Sequence, residues 1–176
     1  MTIIDKIKKE FENCSANNCI EHTKDKYFEI LDDNNKKCFI VKDKIIKGNF
    51  QVKNQNQNEI SFIAIDKCLF TIDDMQKKCD FALCNNYEFS FVEIKEPSSV
   101  SGRKALRNDA VEQLKATIEY FFDKKIFETF KINIEAIICL VGKKSYPSLT
   151  SSKIKRVKEF QDLYSVNLIE GNFKIY

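Results

Sequence analysis

No stretch of the 176-residue sequence is apolar for long enough to cross a bilayer, and the opening Met1-Thr2-Ile3-Ile4-Asp5-Lys6 has no basic region leading into a sustained apolar core. A membrane span and a secretory leader are therefore not expected, and the expected compartment is the cytoplasm. Charge of one sign is also lacking. Lys and Arg number 29 against 26 Asp and Glu, a net of +3, which excludes the overwhelming basic field of a nucleic-acid coat protein and requires any nucleic-acid site to be local. No internal repeat is present. Tryptophan is absent, yet there are 15 Phe, with 43% apolar and 31% charged residues, a globular balance that excludes disorder.

Tight metal-binding pairs are missing as well. The seven cysteines (14, 19, 38, 68, 79, 84, 139) form an odd set without a C-x2-C pair, and most sit inside apolar runs where free Cys behaves as a small hydrophobe, so a disulfide framework is not expected. One spacing fits a metal: Cys14, Cys19 and His22, as C-x4-C-x2-H, with Cys38 as a fourth ligand for tetrahedral Zn²⁺. The plainer reading, in which the lone histidine is a polar surface residue, is preferred.

The chain is one domain's worth of sequence. Thr2-Ile3-Ile4-Asp5 reads as a capped helix start, with Ile4, Ile7 and Phe11 at helical spacing as far as about Asn13. Short strands follow at Tyr27 to Leu31, Cys38 to Val41, Phe50 to Val52 and Ile60 to Asp66, separated by polar turns. Ile132 to Val141 is nearly continuous in its apolarity, as an interior strand covered on both faces would be. A helix over Ser151 to Tyr164, with Ile154, Val157, Phe160 and Leu163 inward, and strands at Val166 to Ile169 and Phe173 to Tyr176 complete the expected sheet. The fold class expected is α/β, with a mixed central sheet flanked by helices. Its core would span about 60–176, preceded by an N-terminal helix and antiparallel β meander over 1–59.

Chemistry concentrates between Cys79 and Tyr120. Phe89-Ser90-Phe91-Val92-Glu93-Ile94-Lys95 and Cys79-Asp80-Phe81-Ala82-Leu83-Cys84 are strand-like, and Asn85-Asn86 between them suits a hairpin turn. Side chains alternate along a strand, so Glu93 and Lys95 share a face, and the hairpin brings Asp80 towards them. Charges in an apolar sheet need pairing or a metal. Oxygen ligands from Asp80 and Glu93, with water and substrate phosphate, suit Mg²⁺, with Lys95 orienting or deprotonating a water or stabilising transition-state charge.

Asp80, Glu93-Ile94-Lys95 thirteen positions later, and a following helix with Gln113 together resemble the PD-(D/E)XK nuclease superfamily, over about the central quarter of the chain. The resemblance implies a restriction-endonuclease-like core, with Asp80 and Glu93 holding Mg²⁺ (Mn²⁺ able to substitute), Lys95 assisting the nucleophilic water and Gln113 supporting the site. It also implies a phosphodiester-hydrolysing nuclease, acting on DNA rather than RNA. Cys79 stands where the family often has proline, a position that is not a ligand. The competing readings are a catalytically inactive nuclease-fold protein that binds nucleic acid or regulates, and a small interaction protein in which Glu93 and Lys95 form an ordinary surface ion pair.

Around this centre, Glu96-Pro97-Ser98-Ser99-Val100-Ser101-Gly102 reads as a substrate-facing loop, and Arg103, Lys104 and Arg107 as phosphate anchors or a solvated basic turn. The next helix, from about Arg103 or Asp109 to Phe122, would bury Leu106, Ala110, Leu114, Ile118 and Phe121, with Gln113, Thr117 and Tyr120 on a neighbouring stripe. Glu10, Glu12 and Glu21 are candidates for a first-helix carboxylate, which the resembled family sometimes adds, and Asp66 is an outside candidate ligand. Duplex cutting commonly calls for two active sites, which makes a homodimer reasonable.

Overall fold

The structure is a computed structural model and describes residues 1–33, 36–43, 45–70, 77–97, 99, 102–142 and 151–176. The expected loop after Lys95 lies partly outside these residues. The first helix, α1 (Ile3–Glu10), starts at a reciprocal cap: Thr2 Oγ1 accepts from the Asp5 amide at 3.1 Å and Asp5 Oδ2 accepts from the Thr2 amide at 2.7 Å. It ends where Phe11 turns extended and inward, packing against Phe70 and Phe121 with centroids 5.4 and 5.2 Å away. A single turn, α2 (Asn13–Ala16), follows.

Two mixed sheets then assemble. The larger is built from β1 (Ile20–Thr23), β5 (Ile60–Ala64), β6 (Phe81–Cys84), β7 (Glu88–Lys95), β8 (Asn133–Leu140) and β9 (Asn167–Glu170), in that spatial order. Its β1, β5, β6 and β7 pair antiparallel, while β7, β8 and β9 are mutually parallel. Helix α3 (Arg103–Asp123) makes the β7 to β8 crossover and packs on both strands; α4 (Ser151–Tyr164) precedes β9 and packs on it. The smaller sheet orders β10 (Phe173–Ile175), β4 (Phe50–Lys53), β2 (Tyr27–Leu31) and β3 (Phe39–Ile40).

This arrangement revises the expected division at residue 60. Ile20–Thr23, unassigned as a strand from sequence, forms the edge of the larger sheet, and the C-terminal strand runs parallel to β4 instead of finishing that sheet. The chain therefore crosses between the two sheets at both ends. Phe50 of β4 meets Phe81 of β6 at 5.7 Å, so the smaller sheet packs against one face of the larger one.

On the opposite face, Phe89 and Phe91 of β7 lie under α3 and pack with Phe121 and Phe127. Phe91 and Phe121 are 5.0 Å apart and nearly perpendicular. Each such edge-to-face pair adds roughly 0.5–1.5 kcal/mol beyond area burial. In α3, Ala110, Leu114, Ile118 and Phe121 are buried as expected, and Leu106 is half-buried. In α4 only Phe160 is buried. Ile154 and Leu163, expected inward, are 54% and 63% exposed, because β9 gives the helix a narrow seat.

The cysteines also depart from expectation. Cys19 and Cys68 form a disulfide with Cα atoms 5.5 Å apart, while Cys14, Cys38, Cys79, Cys84 and Cys139 are buried free thiols. The bond ties the end of α2's loop to a wide turn at Ile65–Leu69, where Phe70 N–H donates to Ile65 O at 3.3 Å and Lys67 is left-handed (φ 57°). Asn17 Nδ2 also donates to Cys68 O at 3.2 Å. With Cys19 committed to Cys68 and His22 Nδ1 3.0 Å from Ser61 Oγ, the Cys14, Cys19, His22, Cys38 zinc set does not form. No helix among the described residues is long and apolar enough to cross a membrane.

Candidate active site

One face of β7 changes character along its length. Phe89 and Phe91 continue the aromatic core, and the next two residues on that face are Glu93 and Lys95. The covering helix runs back antiparallel to the strand, as a crossover between parallel strands requires. From Phe121 to Gln113 the helix rises ~12 Å, and from Phe91 to Lys95 the strand advances ~13 Å. Gln113 therefore arrives over Lys95.

Lys95 Nζ donates to Gln113 Oε1, lies 2.8 Å from Glu93 Oε1 and sits 2.6 Å from Asp109 Oδ2. The amide nitrogen of Gln113 donates to Lys78 O at 3.1 Å, which fixes the orientation of its carbonyl towards the lysine. Thr117, one turn on, is fully buried and links the helix to the strand entry: its hydroxyl donates to Gln113 O at 2.9 Å and accepts from the Cys79 amide at 2.8 Å. The position before Asp80 thus works through its backbone N–H, which a proline there would lack.

Asp80 stands at the bend leading into β6, one step beyond the Phe81–Val92 pair. Its Oδ2 accepts from the Ile94 amide at 2.6 Å, which pins the carboxylate to the end of β7. Glu93 is 1% exposed, and its Oε2 is buried without a hydrogen-bond partner. A buried carboxylate oxygen left so costs stability unless something supplied from outside satisfies it.

Both acids open into a cleft of about 360 Å³, also lined by Asp32, Asn49, Asp66, Lys67, Ile94, Lys95, Glu96 and Gln113. Five carboxylates thus face two ammonium groups. Burial, joined by nearby Asp32 and Asp66, raises Asp80 from its ordinary 3.8 to about 7, against the Ile94 amide and Lys95, which lower it. Burial and then Asp80 push Glu93 well above the usual range, against the opposing pull of Lys95. For Lys95, burial acts downwards but Glu93 and Asp109 outweigh it, and the ammonium is held. The pocket favours extra positive charge.

Asp80, Glu93, Lys95 and Gln113, singled out from sequence, thus come together, and Asp66 joins the cleft from the wide turn. Asp66 is itself 3.5 Å from Lys67 Nζ and 3.6 Å from Lys78 Nζ. The three basic candidates are placed differently from one another. Lys104 is exposed, Arg103 is half-buried with its Nε buried and unpartnered, and Arg107 is held in a bidentate pair by buried Glu170 at 2.9–3.1 Å. Arg107 thus has its charge already engaged. Among the described residues, Glu10, Glu12 and Glu21 do not line the cleft, and Glu21 pairs with Lys42.

Asp32 and Asp109 were not singled out from sequence. Asp109 occupies the helix position one turn before Gln113, a spacing legible once Lys95 is taken as the target. Asp32 follows β2 in the smaller sheet, where its amide donates to Asn49 Oδ1 at 2.9 Å, and nothing local distinguishes it from a turn residue. No family model, no curated protein and no solved structure matches the chain.

Proposed function

We propose that this cleft hydrolyses phosphodiester bonds in nucleic acid with Mg²⁺ held by Asp80 and Glu93. The observation that carries the reading is the buried, unpartnered Oε2 of Glu93 beside the Asp80 carboxylate and the Lys95 ammonium. The donor set fits the ion: hard carboxylate oxygens, in a cleft with more acidic than basic groups and room for water. Mn²⁺, which takes the same ligands, would substitute.

When bound, the ion would polarise the phosphate and lower the pKa of its water. The chain's own residues supply the rest. Asp80, fixed by the Ile94 amide, and Glu93 present oxygens to the cation without side-chain reorganisation. Lys95, held by Gln113 and Asp109, places a positive charge where negative charge builds on the phosphoryl oxygens. Asp109 and Gln113 are positioning residues that keep the ammonium over the cleft. Lys104, exposed at the start of α3, is available to a phosphate backbone, and half-buried Arg103 has an Nε still without a partner.

The restriction-endonuclease-like core is supported by the order helix, antiparallel strands, crossover helix and parallel strand, with the acids at the ends of β6 and β7. DNA is preferred over RNA on the family resemblance alone. The test is incubation with supercoiled, linear and single-stranded DNA and with RNA, in Mg²⁺, Mn²⁺ or chelator, beside Asp80→Ala. Metal-dependent cutting that the variant loses supports the reading, and equal cutting by the variant sinks the site. Retained nucleic-acid binding with no cutting in any metal would favour a binding or regulatory protein on this fold.

A further inference from the structure

Beside the cleft lies a cysteine that the hydrolytic reading does not use. The β2–β3 ladder pairs Leu31 with Phe39, and its next step sets Asp32 opposite Cys38. Packing of the smaller sheet on the larger one then carries both to Asp80. Cys38 Sγ, an Asp32 oxygen and an Asp80 oxygen lie within 4.8 Å of one another. A tetrahedral cation bound at ~2.0–2.3 Å sets its ligand atoms roughly 3.3–3.8 Å apart, so atoms at that 4.8 Å limit need close by about 1–1.5 Å.

A cluster of acids alone would be an ordinary solvated patch. Here Asp80 is 8% exposed, Cys38 3% and Glu93 1%, and the unpartnered Glu93 Oε2 faces the same cleft. Of the nearby ammonium groups, Lys95 is held by Glu93 and Asp109 while also acting on Asp80, and Lys67 lies by Asp66 and acts on Asp32, so the five carboxylates of the cleft still share only these two cations among its lining residues. Asp80 Oδ2 accepts one amide hydrogen, which leaves its other oxygen for a second partner.

We propose that Asp32, Cys38 and Asp80 form a second divalent-cation site, of mixed carboxylate and thiolate character, that takes a borderline-soft ion of the Zn²⁺ class in preference to Mg²⁺. Asp80 is shared with the hydrolytic centre, one oxygen towards each. On coordination the Cys38 S–H bond breaks heterolytically, the proton leaves to water and the sulfur electron pair binds the cation, with no redox change. Thiolate ligation selects Zn²⁺ over Mg²⁺, whose preferred ligands are all oxygen. The cleft is the entry path. The inference concerns binding and holds whether or not the cleft cuts phosphodiesters.

The test is titration of chelator-treated full-length protein with Co²⁺, the spectroscopic stand-in for Zn²⁺. A near-ultraviolet thiolate-to-cobalt band should grow to one equivalent. Zn²⁺ should abolish it stoichiometrically, and Mg²⁺ in large excess should not. Cys38→Ser should remove the band, Asp32→Asn should weaken Co²⁺ binding roughly tenfold or more, and Cys84→Ser, a buried thiol on β6, should change neither. No band in the folded wild-type protein overturns the proposal, as does a band that survives Cys38→Ser or yields to Mg²⁺. Should Cys38→Ser fail to fold, Asp32→Asn and the wild-type competition decide. A positive titration stands even if no nucleic acid is cleaved, and cleavage without the band would retain the hydrolytic centre and reject this second one.

Discussion

Replacing Asp80 with asparagine should stabilise the metal-free protein at alkaline pH. In the fold the Asp80 carboxyl is raised, mainly by burial, from 3.8 to about 7. Below pH ~4 both folded and unfolded chains hold the proton and the contribution is fully present. Between pH ~4 and 7 the unfolded chain ionises while the folded one does not, so stability falls as pH rises. Above 7 the loss is complete. At about 1.4 kcal/mol per pH unit, the gap between 3.8 and about 7 corresponds to about 4 kcal/mol. Glu93, raised in the same direction, adds to the wild-type decline. An asparagine carbonyl still accepts the Ile94 amide hydrogen, so the substitution removes the titration while keeping that bond. Urea denaturation in chelator from pH 4 to 9 measures it. The variant should gain up to about 4 kcal/mol at pH 8 and show a flatter profile between 4 and 7. A variant no more stable than wild type at pH 8, with the same slope, would refute the claim that this carboxylate is held against its own burial.

Three further outcomes follow from the packing and the site. Cys19→Ser, which opens a link between residues 49 apart, should cost about 4 kcal/mol in denaturation, and the unfolded oxidised wild type should titrate five thiols against seven after reduction. Phe121→Ala should cost about 3–5 kcal/mol, because its ring is fully buried against Phe89, Phe91 and Phe11; a loss under about 1 kcal/mol would contradict that packing. Gln113→Ala frees one side of Lys95 and should lower kcat by roughly tenfold or more with Mg²⁺ affinity unchanged, whereas a change in Mg²⁺ affinity alone would contradict a positioning role.

What could be read from sequence was whatever short-range periodicity encodes. The alternation of Phe89, Phe91, Glu93 and Lys95 located β7 and its polar end, and the helical spacing of Ala110, Leu114, Ile118 and Phe121 located α3. Pairing at long range was not legible. Ile20–Thr23 joins the larger sheet because Ile63 and Phe62 offer it an edge, and its own Glu and His give no strand signal. Phe173–Ile175 pairs with Gln51–Lys53, more than a hundred residues earlier, so no local pattern distinguishes it from one more strand of the larger sheet. The Cys19–Cys68 bond and the approach of Asp32 to Asp80 have the same origin, since both arise only after the sheets pack. Arg107 illustrates the converse: its sequence neighbourhood looks like a free basic turn, and Glu170 at the end of β9 meets it from 63 positions away.

In the proposed mechanism Lys95 acts on the reaction while Asp80 and Glu93 hold the ion, and Lys95→Met separates the two. Nicking of supercoiled DNA should be measured beside calorimetric Mg²⁺ binding for wild type, Lys95→Met and Glu93→Gln. Lys95→Met should lose roughly a hundredfold or more in rate while still binding Mg²⁺, and Glu93→Gln should lose both. Cleavage by Lys95→Met at the wild-type rate, or Mg²⁺ binding that survives Glu93→Gln undiminished, would overturn this division of roles.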